Sequence, residues 1–70
     1  MKYAVVYEKA LRNFSAYVPD FPGCIATGVT RQEVKSSIRE AIAFHIEGIR
    51  LQQLPVPEPS SWPESVEVTA

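Results

Sequence analysis

The chain has 70 residues, of which 46% are hydrophobic, and seven Lys and Arg against eight Asp and Glu leave a formal charge of −1. That length holds one domain near the lower limit for a chain that folds alone, and that hydrophobic share excludes wholesale disorder. The cations Lys2, Lys9, Arg12, Arg31, Lys35, Arg39 and Arg50 are scattered along the sequence, so the basic cluster of a nucleic-acid binder is missing and direct DNA or RNA binding is not expected.

Residues 2–8 are rich in β-branched and aromatic side chains and predict a first strand, with Tyr3, Val5 and Tyr7 on one face and Ala4 and Val6 on the other. A short polar connection, Lys9 to Asn13, suits a hairpin. Residues 14–18 predict the second strand, placing Phe14, Ala16 and Val18 opposite Ser15 and Tyr17. Pro19, Asp20 and Phe21 come next, and Pro22-Gly23 fits the centre of a type II turn: proline presets φ and glycine accepts a positive one. A short third strand is expected over 24–27.

Thr30-Arg31-Gln32-Glu33 has the form of a capping box, in which the Thr30 hydroxyl and the Glu33 carboxylate each satisfy an orphan amide. Val34, Ile38, Ala41, Ile42, His45, Ile46 and Ile49 then recur at helical spacing, so a helix is predicted over about 31–52. The connector 55–63 carries Pro55, Pro57, Pro59 and Pro63 and cannot be helical, because each proline removes a donor and favours extended geometry. Ser65 to Thr69 alternates again and is expected to return to the sheet as a last strand, 65–69. The whole is one α+β domain of order β-β-β-α-β, an antiparallel sheet with one helix on one face. The uncovered face leaves aromatics over for a partner; Tyr3, Tyr7, Phe14, Tyr17 and Trp62 are the candidate interface residues. Trp62 also suits a clamp that holds the tail against the sheet.

Chemistry finds little footing. Cys24 and His45 are the only residues of their types, which rules out an intramolecular disulfide and a Cys/His zinc site. Cys24 reads as a small buried hydrophobe and His45 as a core or interface residue. Glu33 has its capping role, Glu40 and Glu47 fall on the solvent side of the helix, and Asp20 between two prolines reads as a turn residue. No catalytic group, metal or cofactor is therefore expected. Met1 to Glu8 lacks the apolar run of a signal peptide, and no stretch approaches the roughly 20 apolar residues of a membrane span. A small domain without staples gains stability from association, so a cytoplasmic homo-oligomer is expected.

The run Phe14 to Cys24, with its core Tyr17-Val18-Pro19-Asp20-Phe21-Pro22-Gly23-Cys24, resembles the signature of the HicB family. So do Ala26-Thr27-Gly28 before the capped helix, Arg39 to Gly48 within it, and the proline run with its terminal strand. The resemblance implies a partial RNase H-like fold without catalytic carboxylates. It also implies a protein that neutralises HicA toxins, small RNA-cleaving proteins, by covering the toxin surface, and that assembles as dimers or tetramers. Many members add a C-terminal DNA-binding domain; a chain ending at Ala70 has no room for one, so operator binding is not carried over. The alternative is a solitary HicB-like oligomer of structural or regulatory role with no toxin partner. In the signature itself, Pro19, Asp20, Pro22, Gly23 and Cys24, with Thr30 and Glu33 behind them, are expected to be structural.

Overall fold

A computed structural model describes residues 1–69. Three strands, β1 (Val6–Lys9), β2 (Phe14–Tyr17) and β3 (Ile25–Gly28), are followed by one helix, α1 (Arg31–Leu51). They form an antiparallel sheet in the order β1-β2-β3, with α1 packed against β3 and β2 and not against β1. This is the expected α+β class.

The register explains where β1 begins. Val6 pairs with Tyr17 and Lys9 with Phe14, so one step further out Val5 would face Val18 and two steps out Ala4 would face Pro19. Proline has no amide to give the ladder. Residues 2–5, expected within the strand, therefore lie outside the paired region. Ala10 donates its amide to Asn13 at 2.9 Å and closes the hairpin.

Between β2 and β3 the chain makes two consecutive turns. Phe21 N–H donates to the Val18 carbonyl at 3.1 Å, and Cys24 N–H donates to the Phe21 carbonyl at 3.0 Å. Pro19 leads the first turn. Pro22 leads the second and Gly23 completes it with φ +84°, the positive value that position of a type II turn requires. Val18 N–H donates to the Cys24 carbonyl at 3.2 Å and staples the loop at its base. This double turn swings Phe21 inward, where it is 1% exposed.

Alternation decides the faces. Tyr7 pairs with Ala16 and Ala16 with Ala26, so the odd-numbered side chains of β1 share the helix side with Phe14, Ala16 and Val18. The core is Ala16, Val18, Phe21, Cys24, Val34 and Ile38. Tyr3, Val5, Phe14 and Ala26 pack around it, as do Ala41, Ile42, Ile46 and Ile49 on the helix stripe. Thr30 caps the helix by accepting from Glu33 N–H at 3.1 Å. Glu33 reaches back to Val29 N–H at 3.4 Å, one residue before the amide a standard capping box uses.

The helix ends in a Schellman motif: Gln53 N–H donates to the Arg50 carbonyl at 2.9 Å and Leu54 N–H to the Ile49 carbonyl at 3.1 Å. The left-handed residue the motif needs is Gln53, at φ 58°. Beyond it no residue of the described tail joins the sheet. The strand expected at 65–69 is not formed, because its alternating valines stay outside, Val66 80% and Val68 77% exposed, and meet no sheet edge of their own chain.

Candidate partner-binding surface

One helix covers one side of the sheet, so the even-numbered residues of β1 and their cross-strand partners face outward. Val6, Tyr17 and Ile25 are direct neighbours across the three strands. Side chains paired in this way touch, so they form an apolar row roughly 10 Å long at the usual strand spacing. Tyr17 at its centre and Ile25 at its end are exposed, Ile25 to 66%. Glu8, Ser15 and Thr27 form the next row and rim the apolar one with polar groups. A small apolar centre with a polar border is the usual anatomy of a protein interface.

A second surface lies on the helix side, where α1 stops short of β1. Tyr7 is half exposed there. Tyr7, Glu8, Lys9, Phe14, Arg31 and Lys35 line a cleft of about 450 Å³, and the Arg31 guanidinium sits 5.8 Å from the centre of the Phe14 ring, a cation–π contact. Lys9 is thus brought beside Arg31 and Lys35, neighbours on the first turns of α1, around one cleft. Their scatter along the chain conceals this, because the helix start and the end of β1 meet only in the fold.

The five aromatic candidates are consequently not one patch. Tyr17 lies on the open sheet face, and Tyr7 and Phe14 belong to the cleft. Tyr3 is occupied within the chain: its ring lies 4.6 Å from that of Phe21 and its hydroxyl donates to the Pro57 carbonyl at 2.6 Å. Trp62 is 73% exposed, and its indole N–H donates only to Glu64 two residues on, at 3.2 Å. It does not clamp the tail.

The clamp is Asp20 instead. Its carboxylate accepts from Ser60 N–H at 3.1 Å, from Ser60 Oγ at 2.8 Å and from Ser61 Oγ at 3.1 Å. These bonds, those of Ser60 foremost, hold the carboxyl below its ordinary value of 3.8, against the opposing push of desolvation. Asp20 is therefore a tether across forty residues as well as a turn residue. A signal for this exists in the sequence, in paired serines after the proline run, but nothing local connects them to Asp20.

Neither Cys24 nor His45 is placed for nucleophilic chemistry. Cys24 is buried, and burial pushes its thiol above the ordinary value of 9.0, away from the reactive thiolate. The His45 ring packs 4.9 Å from that of Phe21, making the outer member of a Tyr3–Phe21–His45 stack. Among the described residues, no three His, Cys, Asp or Glu side chains gather as a metal site would need, and no helix is long and apolar enough to cross a membrane.

Comparison with known proteins agrees with this architecture. Residues 3–69 match the family model described as HicB_like antitoxin of bacterial toxin-antitoxin system. An uncharacterized 14.9 kDa protein from the rep-hol intergenic region of Haemophilus phage HP1 is 43% identical over 49 residues; the match takes in 70% of this chain and only 37% of the phage protein. The UPF0150 protein Ta0767 of Thermoplasma acidophilum is 34% identical over 58 residues, 81% of this chain and 84% of that protein. In three dimensions the chain is similar to a chain of a solved HicA3 and HicB3 toxin-antitoxin complex, with TM-score 0.71 and 33% identity, over 87% of this chain and 71% of that one. A double turn that buries Phe21, a capped helix on one face of a three-stranded sheet and a family match over 3–69 lead to one assignment: the chain belongs to the HicB-like antitoxin family of bacterial toxin-antitoxin systems.

Proposed function

We propose that this chain is an antitoxin domain that binds a small HicA-type RNA-cleaving toxin in the cytoplasm and blocks it by covering its surface, doing no chemistry of its own. The observation that carries the reading is the likeness to a chain of a toxin-antitoxin complex at 33% identity. The open sheet face is the docking surface, with Tyr17 as its anchor between Val6 and Ile25. A tyrosine ring presents a large apolar area at small entropic cost, which suits the centre of an interface.

Co-expression with a HicA-like gene from the same genomic neighbourhood tests this. The chain should restore growth and co-purify with the toxin. Tyr17→Asp, on an exposed position, should abolish both and leave the helical circular dichroism signal intact. A wild-type chain that neither binds nor rescues would sink the proposal. A second reading, a solitary oligomer of structural or regulatory role, is favoured by the outward-facing apolar residues of the tail, which call for a partner whether or not a toxin exists. The absence of any HicA-like gene beside this one would select it.

A further inference from the structure

The cations are scattered along the sequence, but four of them share one side of the folded chain. Arg31, Lys35 and Arg39 follow one another at i, i+4 and i+8 on α1, so they form a row about 12 Å long in steps of about 6 Å. At about 100° per residue the row spans about 80° of the helix surface, and Glu33, Glu40 and Glu47 group about 140° from its centre. Lys9 faces the row from the end of β1, across the cleft. All four side chains are exposed, and none takes part in a side-chain hydrogen bond among the described residues.

The cleft has the shape of a shelf. The helix covers β3 and β2 and stops short of β1, so Tyr7 and Phe14 form the floor and the cationic row forms the wall. Tyr7 pairs with Ala16 and Lys9 with Phe14, which makes the two rings diagonal neighbours. The Phe14 ring is half-buried beneath the Arg31 guanidinium, whereas the Tyr7 ring is 51% exposed. The volume of about 450 Å³ falls within the range of about 300–1,000 Å³ usual for ligand sites. Gln32, Lys35, Ser36 and Arg39 line a second hollow, which shares Lys35 with the first and continues the wall.

An open aromatic platform beside a row of evenly spaced cations suits a single strand of nucleic acid. Every base has a face to stack, and the phosphates repeat along one line. A duplex keeps its base faces from Tyr7, an acidic peptide leaves that ring uncovered, and a lone anion engages only part of the row.

We propose that this cleft binds a single strand of nucleic acid without sequence preference. One base stacks on Tyr7, the adjoining phosphates lie along Arg31, Lys35 and Arg39, and Lys9 closes the near side. RNA and single-stranded DNA share this chemistry. The site lies on the other side of the sheet from Val6, Tyr17 and Ile25 and does not depend on the antitoxin reading.

Fluorescence anisotropy of labelled oligouridylate and oligothymidylate, each of about eight nucleotides, titrated with the full chain at low salt tests this. Dissociation constants of about 10⁻⁴–10⁻⁶ M are expected, and the more tightly bound strand names the source. Log affinity should fall with log salt at a slope of about −2 to −3, from three or four phosphates at about 0.7 each, and Lys35→Ala should reduce that slope by about 0.7. Tyr7→Ala should weaken binding by roughly 5- to 150-fold and leave the slope alone, as the loss of one stacked base does. Tyr17→Asp should change neither, which separates failure of this site from failure of the antitoxin reading. The substituted side chains are all exposed, and the helical circular dichroism signal should persist in each variant. Four results would overturn the proposal: no binding of either strand up to about 1 mM protein, a duplex of equal length bound as tightly, displacement of the strand by an oligoglutamate peptide of equal charge, or Tyr7→Ala without effect. The Lys35 slope decides the question even if the Tyr7 variant does not fold: an unchanged slope would also sink it.

Discussion

Two proline-punctuated segments end up in opposite states. Residues 18–24 contain Pro19 and Pro22 yet form the most tightly organised loop of the molecule, with three main-chain hydrogen bonds and Phe21 buried at its centre. Residues 55–63 contain four prolines and hang on the body by side-chain contacts from Tyr3 and Asp20. The prolines do not make the difference, because both segments lose donors to them. Spacing does. Two prolines three apart each lead one turn and leave the intervening residues free to donate, whereas prolines at alternate positions leave no i→i+3 turn able to close. The first segment therefore carries a core aromatic inward, and the second only spans distance.

The largest test of this contrast sets Phe21 against Trp62. Truncating a buried Phe costs about 3–5 kcal/mol. A 70-residue domain is stable by only about 3.5–10 kcal/mol in all. Phe21→Ala should therefore remove most of the stability, seen as loss of a cooperative urea or thermal transition. Trp62→Ala, a change of comparable size in an exposed residue, should move the unfolding midpoint little. Equal losses would mean that the tail is part of the core.

A smaller effect tests the tether between the two segments. The Asp20 carboxyl is held below its ordinary value because its ionised form accepts the bonds from Ser60 and Ser61. A depressed carboxyl stabilises the tethered state above its unfolded pKa and ceases to do so as pH falls through the folded one. The tail should thus be anchored at neutral pH and released only below about pH 3.8, the ordinary value. Asp20→Ala should release it at every pH. Hydrogen exchange at Ser60 N–H reads both: fast exchange in the variant at neutral pH, with the helix amides still protected, is the expected outcome. Protection that persists in the variant would assign the anchoring to Tyr3 and Pro57 alone.

How much of this is legible in the sequence depends on the range of the interactions. The Pro22-Gly23 turn, the Thr30 cap and the stripe from Val34 to Ile49 are written within a few residues of one another, and each stands where the pattern puts it. Which face the helix takes is not legible, because Tyr3, Val5 and Tyr7 are as apolar as the residues opposite them, and only the pairing register aligns them with Ala16. The Asp20 tether, the gathering of Lys9, Arg31 and Lys35, and the fate of 65–69 depend on contacts between distant parts of the chain. The alternation at 65–69 is real as a pattern. It specifies a strand, but an alternating sequence does not say which edge it will meet.

The smallest effect lies at the boundary between the ordered body and the tail. The Schellman motif that stops α1 places Gln53 at φ 58°, where an L-residue costs about 1–2 kcal/mol and glycine almost nothing. Glycine in turn loses more backbone freedom on folding, by roughly 0.5–1 kcal/mol. Gln53→Gly should therefore stabilise the domain by about 0.5–1 kcal/mol, or about 3–7 °C in Tm for a chain of this size. The Gln53 side chain is exposed, so nothing else is lost with it. The same substitution leaves the Asp20 tether untouched, so the Ser60 exchange rate should not change. If Gln53→Gly stabilises the helix and leaves that rate alone, the body and the tail are energetically separate units joined at this residue. If it alters that rate, the helix end sets the direction of the tail, and the boundary belongs further along the proline run.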